Sequence, residues 1–186
     1  MRTFFCCPVD DETRERLARL AGETRAATAA RASWVAAGNY HVTVRFLGEI
    51  DPRLTIDLKV LGQEAARVGP FDFALDRLSA FPSEERPRVI WAGGDAPAPF
   101  RELCRLLGEG LEGLGFRRDR RQETFHITLA RLKGPGDTPL RDRLTALGDG
   151  GWRLAARRLV LMESRLTQHG AVYTEAFSVP LRGRAT

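Results

Sequence analysis

The chain has 186 residues, of which 43% are hydrophobic and 28% charged, which fits one substantial globular domain or two small lobes sharing an interface. No apolar run approaches the ~20 residues of a membrane span. The apolar N-terminal stretch is too short for a signal peptide and is followed at once by acids, so a cytoplasmic protein without a membrane partner is expected.

A net charge of +5 favours anionic partners, nucleic acid among them. Of the 29 basic residues only Lys59 and Lys133 are lysine, and the Arg, Ala and Gly content suits a GC-rich genome, so bulk charge alone says little about function. The densest basic run, Arg117 to Arg121, is more pointed because it precedes His126; it reads as a solvated loop or as part of an anion-binding site. Adjacent Cys6 and Cys7 with a distant Cys104 make no disulfide framework, and the chain has no CxxC for structural zinc.

In chain order, residues 2–8 read as a buried strand, and Asp10 and Asp11 cap a helix to about residue 22. The stretch TRAATAARA extends that helix or forms a surface loop. A short strand, a turn at Gly38-Asn39 and a longer strand follow. Asp51-Pro52 opens a helix to about Val68. GPFDFALDRLSAFP reads as one strand with a late irregularity, and RPRVIWAGG as a short strand ending at a Gly93-Gly94 turn. Phe100, Leu103, Leu106 and Leu107 mark one face of a helix. ETFHITLARL is a strand and DTPLRDRLTALGDGG a capped helix. WRLAARRLVLMESRL and AVYTEAFSVPL are two strands joined at Gln168-His169-Gly170. Two similar batches of strands and helices, without regular alternation, give an α+β fold with antiparallel sheets covered by helices.

The chain has three histidines, and two of them open the same pattern: HVTV at 41–44 and HITL at 126–129. With 13 threonines in the chain, a histidine meets Thr at +2 by chance about 1 time in 14, so a double match with apolar neighbours is informative. Residues i and i+2 of a strand share a face. Each motif thus sets an imidazole beside a hydroxyl, with Val42, Val44, Ile127 and Leu129 turned into apolar packing. An internal duplication about a pseudo-twofold axis would bring the pairs together. His169 reads as a loop residue.

Two imidazoles divide acid and base work near neutrality. Thr hydroxyls donate to non-bridging phosphoryl oxygens, and Arg131 neutralises charge there. The set suits in-line displacement at phosphorus without a metal or cofactor. No third ligand is motif-positioned for zinc, and no Ser or Cys is poised as a nucleophile.

These motifs resemble the 2H phosphoesterase superfamily, and within it the bacterial RNA 2',3'-cyclic phosphodiesterases, also called 2'-5' RNA ligases. HVTVRFLG at 41–48, HITLAR at 126–131, AFPSEERPRVIW at 80–91, and LVLMESRL and GAVYT between Leu159 and Thr174 carry the likeness across nearly the whole chain. One departure is Phe125, where the family usually has Pro; it is expected to change how the strand begins and the shape of the cleft rim.

The resemblance implies one bilobal domain over 1–186, duplicated around 41–44 and 126–129, with pseudo-symmetric lobes of antiparallel sheets flanked by helices and an active-site cleft between them. It implies hydrolysis of RNA 2',3'-cyclic phosphate ends to a 2'-phosphomonoester. His41 would be the proton donor to O3', His126 the proton acceptor from water, and Thr43 and Thr128 would hold phosphate oxygens. Arg131 is the leading substrate-binding candidate. Attack by an RNA 5'-hydroxyl instead of water would give 2'-5' ligation. Arg45 either shares the cleft face or pairs with an acid. Phe46 and Tyr173 either stack on a base or fill the core. The partner implied is RNA with a 2',3'-cyclic phosphate terminus, with no obligatory protein partner. The alternatives are a non-catalytic RNA or nucleotide-binding module on the same fold, a metal-dependent hydrolase, and a sister enzyme acting on ADP-ribose cyclic phosphate or a small cyclic nucleotide.

Overall fold

The computed structural model describes residues 1–117, 124–144, 152–168 and 170–183. Residues 118–121 of the arginine run and His169 lie outside this set. Strand β1 (Arg2–Pro8) is buried at all of residues 3–7, as expected of a central strand covered on both faces. Asp10 accepts a hydrogen bond from the Thr13 amide at 2.7 Å and starts α1 (Asp11–Ala26), which takes in the first residues of the TRAATAARA stretch. The rest of that stretch leads into β2 (Ala32–Trp34). A 3-10 turn over Ala37–Asn39 precedes β3 (His41–Glu49). Asp51 caps the next turn, and α2 (Thr55–Ala65) follows.

The segment read as one irregular strand is two strands in different sheets. β4 (Phe71–Leu75) pairs with β8 (Trp152–Ala156), whereas β5 (Arg77–Phe81) pairs with β6 (Val89–Gly93). Asp76 is the break; its amide bonds the Gly93 carbonyl at 2.9 Å, which pulls the chain from one sheet to the other. A second split, at Arg157, separates β8 from β9 (Arg158–Thr167), so the final two expected strands are three, ending with β10 (Gly170–Pro180). Between them lie α3 (Ala98–Gly113), β7 (His126–Leu132) and the short α4 (Thr138–Arg143).

All strand pairs among the described residues are antiparallel. The large sheet runs β10-β9-β1-β3-β7-β6-β5, with β2 also on β7, and β4-β8 form the small sheet. The two halves of the large sheet join at one register pair, Val42 opposite Ile127. The edge of β7 that meets β3 there meets β2 at residues 130–132. One continuous core lies beneath, with Phe5, Val42, Leu58, Phe100, Leu107 and Ile127 almost wholly buried. Each large aliphatic side chain there stabilises by about 1.5–3 kcal/mol.

The two histidine strands share an irregularity. Cys6 opposite Thr43 is followed by Phe5 opposite Arg45, and Trp91 opposite Thr128 by Ile90 opposite Ala130. Val44 and Leu129 are therefore each an extra residue, a bulge directly after the motif threonine. The bulge resets the alternation, so that Phe46 and Arg131, each five residues past its histidine, come to the exposed face.

Candidate active site

Val42 and Ile127 point into the core, so the pleat turns His41, Thr43, His126 and Thr128 to the opposite face. There all four line one cleft of about 710 Å³, together with Arg131. In an antiparallel pair centred on Val42 and Ile127, His41 lies beside Thr128 and Thr43 beside His126. The two halves thus contribute interleaved rather than separate pairs.

Both imidazoles are anchored the same way. His41 Nδ1 lies 2.7 Å from the Asn39 carbonyl oxygen, and His126 Nδ1 lies 2.7 Å from the Thr124 carbonyl oxygen. A carbonyl only accepts, so Nδ1 carries the proton in each and Nε2 carries the lone pair. His41 Nε2 is 3.1 Å from Thr43 Oγ1, which donates to it while the ring is neutral.

Each ring is also held by two aromatic neighbours. Phe4 and Tyr173 flank His41 at centroid distances of 4.8 and 5.4 Å. Phe81 and Trp91 flank His126 at 5.0 and 6.0 Å. These walls lower the local polarity. Burial pushes the His41 pKa down to about 4; the bond to the Asn39 carbonyl opposes this, and His126 adds to it. Burial lowers His126 as well, opposed by the Thr124 carbonyl and reinforced by the Arg131 guanidinium. At neutral pH both ligand-free imidazoles are uncharged.

Arg131 is exposed at the cleft wall, and Arg45, at 9% exposure, also lines the cleft. Phe46 is 54% exposed and lines the cleft rather than the core. Tyr173 sits edge-on to His41, and burial raises its phenol pKa. Phe125 differs from expectation. It is buried at 1% exposure, packed edge-on against Phe73 and Phe100 at 4.7 and 4.8 Å, so its side chain anchors the start of β7 from the core and leaves the rim untouched. Gly93 is the last residue of β6, not a turn. A Cβ there would lie 2.5 Å from the Phe125 carbonyl oxygen and 2.7 Å from the Trp91 ring, so glycine lets Trp91 fold against His126. Phe4, Phe81 and Trp91 were legible only as apolar strand residues; their approach to the histidines depends on which strands pair, β1 with β3 and β5 and β6 alongside β7.

Among the described residues, no group of three His, Cys, Asp or Glu side chains is arranged to hold a metal ion. No helix among them is long and apolar enough to cross a membrane. Cys6, Cys7 and Cys104 are all buried and unbridged, and burial pushes the Cys7 thiol up to about 12.

The LigT like Phosphoesterase family model matches residues 8–91 and 94–173, each segment holding one histidine motif. An RNA 2',3'-cyclic phosphodiesterase of Aeropyrum pernix is 33% identical over 171 residues, covering 88% of this chain and 94% of that protein. One from Geobacillus stearothermophilus is 34% identical over 139 residues, covering 74% of this chain; the match spans only 44% of that longer protein. Among solved structures, TT0787 of Thermus thermophilus superposes with a TM-score of 0.86 at 29% identity over 100% of both chains. LigT of E. coli complexed with 3'-AMP gives 0.76 at 25% identity, over 97% of each. With nearly the whole chain matched and both histidine motifs inside the match, the chain belongs to the LigT-like phosphoesterase family.

Proposed function

We propose that the cleft hydrolyses RNA 2',3'-cyclic phosphate ends to 2'-phosphomonoesters by two-histidine acid–base catalysis, without a metal or cofactor. The observation that carries this is the matched pair of Nδ1-anchored imidazoles, each next to a hydroxyl, in one cleft. Relatives named RNA 2',3'-cyclic phosphodiesterase supply the substrate class, and E. coli LigT, solved in complex with 3'-AMP, is a neighbour that takes a nucleotide.

In this reading His126 Nε2 removes a proton from water as its oxygen attacks phosphorus. The P–O3' bond breaks and His41 protonates O3'. The new bond is P–O from water, and the products are a 2'-phosphomonoester and a 3'-hydroxyl. Thr43 and Thr128 donate to the non-bridging oxygens, and Arg131 offsets the charge gathering there. Because burial lowers the His41 pKa, the ring takes up its proton from solvent as the substrate binds. The phosphodiester anion stabilises the imidazolium that burial disfavours, and Thr43 Oγ1, released from His41 Nε2, turns to the phosphate. Attack by an RNA 5'-hydroxyl on the same phosphorus breaks the same bond and leaves a 2'-5' linkage, so ligation belongs to the same site.

The test is incubation of the purified chain with an oligoribonucleotide ending in 2',3'-cyclic phosphate, with chelator present. The expected product is the 2'-phosphate isomer. A requirement for divalent metal, or binding without turnover, contradicts the reading.

A further inference from the structure

We infer that RNA upstream of the cyclic phosphate leaves the cleft over Arg131 and then between Arg31 and Lys133, which bind its backbone phosphates. This rests on the function proposed above for its direction and not for its chemistry.

The direction follows from strand register. β7 runs from His126 past Thr128 to Arg131, antiparallel to β3, so its far end lies where β3 begins, at His41. The Asn39 side-chain amide donates to the Ala171 carbonyl oxygen at 2.9 Å, and Tyr173 packs edge-on to His41 at 5.4 Å, so β10 closes on the start of β3 at this point. With O3' departing toward His41, the terminal ribose sits there too, and the chain continues outward from that end.

What lies outward is basic. Beyond Leu132 comes Lys133, whose amide bonds the Arg31 carbonyl at 2.8 Å, directly across from it. Ser33 pairs with Arg131, and Ala32 with the buried Leu132, so the pleat returns Arg31 and Lys133 to the side of the sheet that carries Arg131. Both are exposed. Lys133 is roughly 15 Å along the strand from Thr128, beyond a single nucleotide and within reach of the internucleotide phosphates next upstream.

No carboxylate among the described residues pairs with Arg31 or Lys133. The nearby Asp137 is occupied by Thr28 Oγ1 at 2.7 Å, the Ala29 amide at 2.8 Å and the Leu140 amide at 3.0 Å. The opposite end of the cleft differs. There Glu49 takes the N-terminal ammonium at 3.0 Å and Arg165 is paired with Glu163 at 3.2 Å. Exposed positive charge at Arg31 and Lys133, without an ion-pair partner among the described residues, therefore lies on the side toward which the ribose points.

The test measures binding of a 5'-labelled oligoribonucleotide bearing a terminal 2'-phosphate, by fluorescence anisotropy across a salt series. Arg31→Ala with Lys133→Ala should weaken binding by about 10-fold and flatten the slope of log affinity against log salt by ~1.4, the share of two phosphate contacts on a single strand. Arg31→Lys with Lys133→Arg should retain both. Binding of 2'-AMP, which has no upstream phosphate, should change less than about twofold. Wild-type affinity and slope in the double alanine variant overturn the inference. Turnover of a 2',3'-cyclic mononucleotide reports separately on the histidine site. An inactive chain whose oligonucleotide binding still depends on Arg31 and Lys133 would remove the catalysis and keep the track.

Discussion

Val42 faces Ile127 across the seam between the two halves of the large sheet, and this pair fixes how both histidine motifs meet. Both side chains are almost fully buried, at 1% and 0% exposure. Ile127→Ala should cost about 2–5 kcal/mol in denaturant unfolding, and Ile127→Val about 0.5–1.5 kcal/mol. Because the seam also sets the spacing of the imidazoles, the alanine variant should lose turnover in conditions where it is still fully folded. Full activity in the folded variant would show that the seam does not position the site.

The depressed imidazole pKa values make a pH prediction with a definite sign. His41 sits at about 4 when folded, against ~6.5 unfolded. Below the unfolded value the unfolded chain takes up a proton that the folded chain refuses. Stability is therefore lost as pH falls from about 6.5 toward 4, by up to roughly 3 kcal/mol from this group. His126, lowered for the same reason, adds to the loss. Inorganic phosphate in the cleft should raise both pKa values and restore stability in that window. Imidazole titration by NMR with and without phosphate checks this; a His41 that titrates at its ordinary value in the free protein contradicts it.

Thr43 and Thr128 should behave alike toward phosphate but differently toward their histidines. Thr43→Val and Thr128→Val should each cost about 1.5–3 kcal/mol of transition-state binding, or roughly 10- to 150-fold in kcat/KM, as expected for a hydrogen bond to a charged group. Thr→Ser should retain most activity at either position. Only Thr43→Val removes a bond to a ring nitrogen, that of His41 Nε2, so it alone should shift the histidine titration in the free protein. Equal shifts from both valine variants would count against that bond.

Gly93→Ala should be strongly destabilising, because the Phe125 backbone oxygen cannot give way to a Cβ 2.5 Å from it. Gly108, within α3, has nothing within 4 Å of the same added atom, and Gly108→Ala should stabilise by about 0.8–1 kcal/mol. Thermal melts of the two variants should move in opposite directions.

How much of this was legible in the sequence depended on how local each signal was. Asp10, Asp51 and Asp137 announced helix starts because a cap is a contact within a few residues. The shared face of His41 and Thr43 followed from strand periodicity alone. The breaks at Asp76 and Arg157 did not show, because neither is a Gly or Pro, and what separates the flanking strands is pairing between β4 and β8, far apart in the chain. The bulges at Val44 and Leu129 were hidden for a similar reason: an extra residue is defined only against its partner strand. The carbonyls that fix both imidazoles are backbone atoms of Asn39 and Thr124, which no residue type encodes. The aromatic rings around the histidines come from other strands of the sheet, so alternation within one strand could not show which of them meet.

Two imidazoles sharing one displacement are tested most directly by single-turnover hydrolysis of a 2',3'-cyclic phosphate end with His41→Ala, His126→Ala and the double variant. Each ring should be worth about 10²–10⁴ in rate, with the double variant scarcely slower than either single one. Near wild-type turnover in either single variant would mean that the two rings do not act on the same phosphorus.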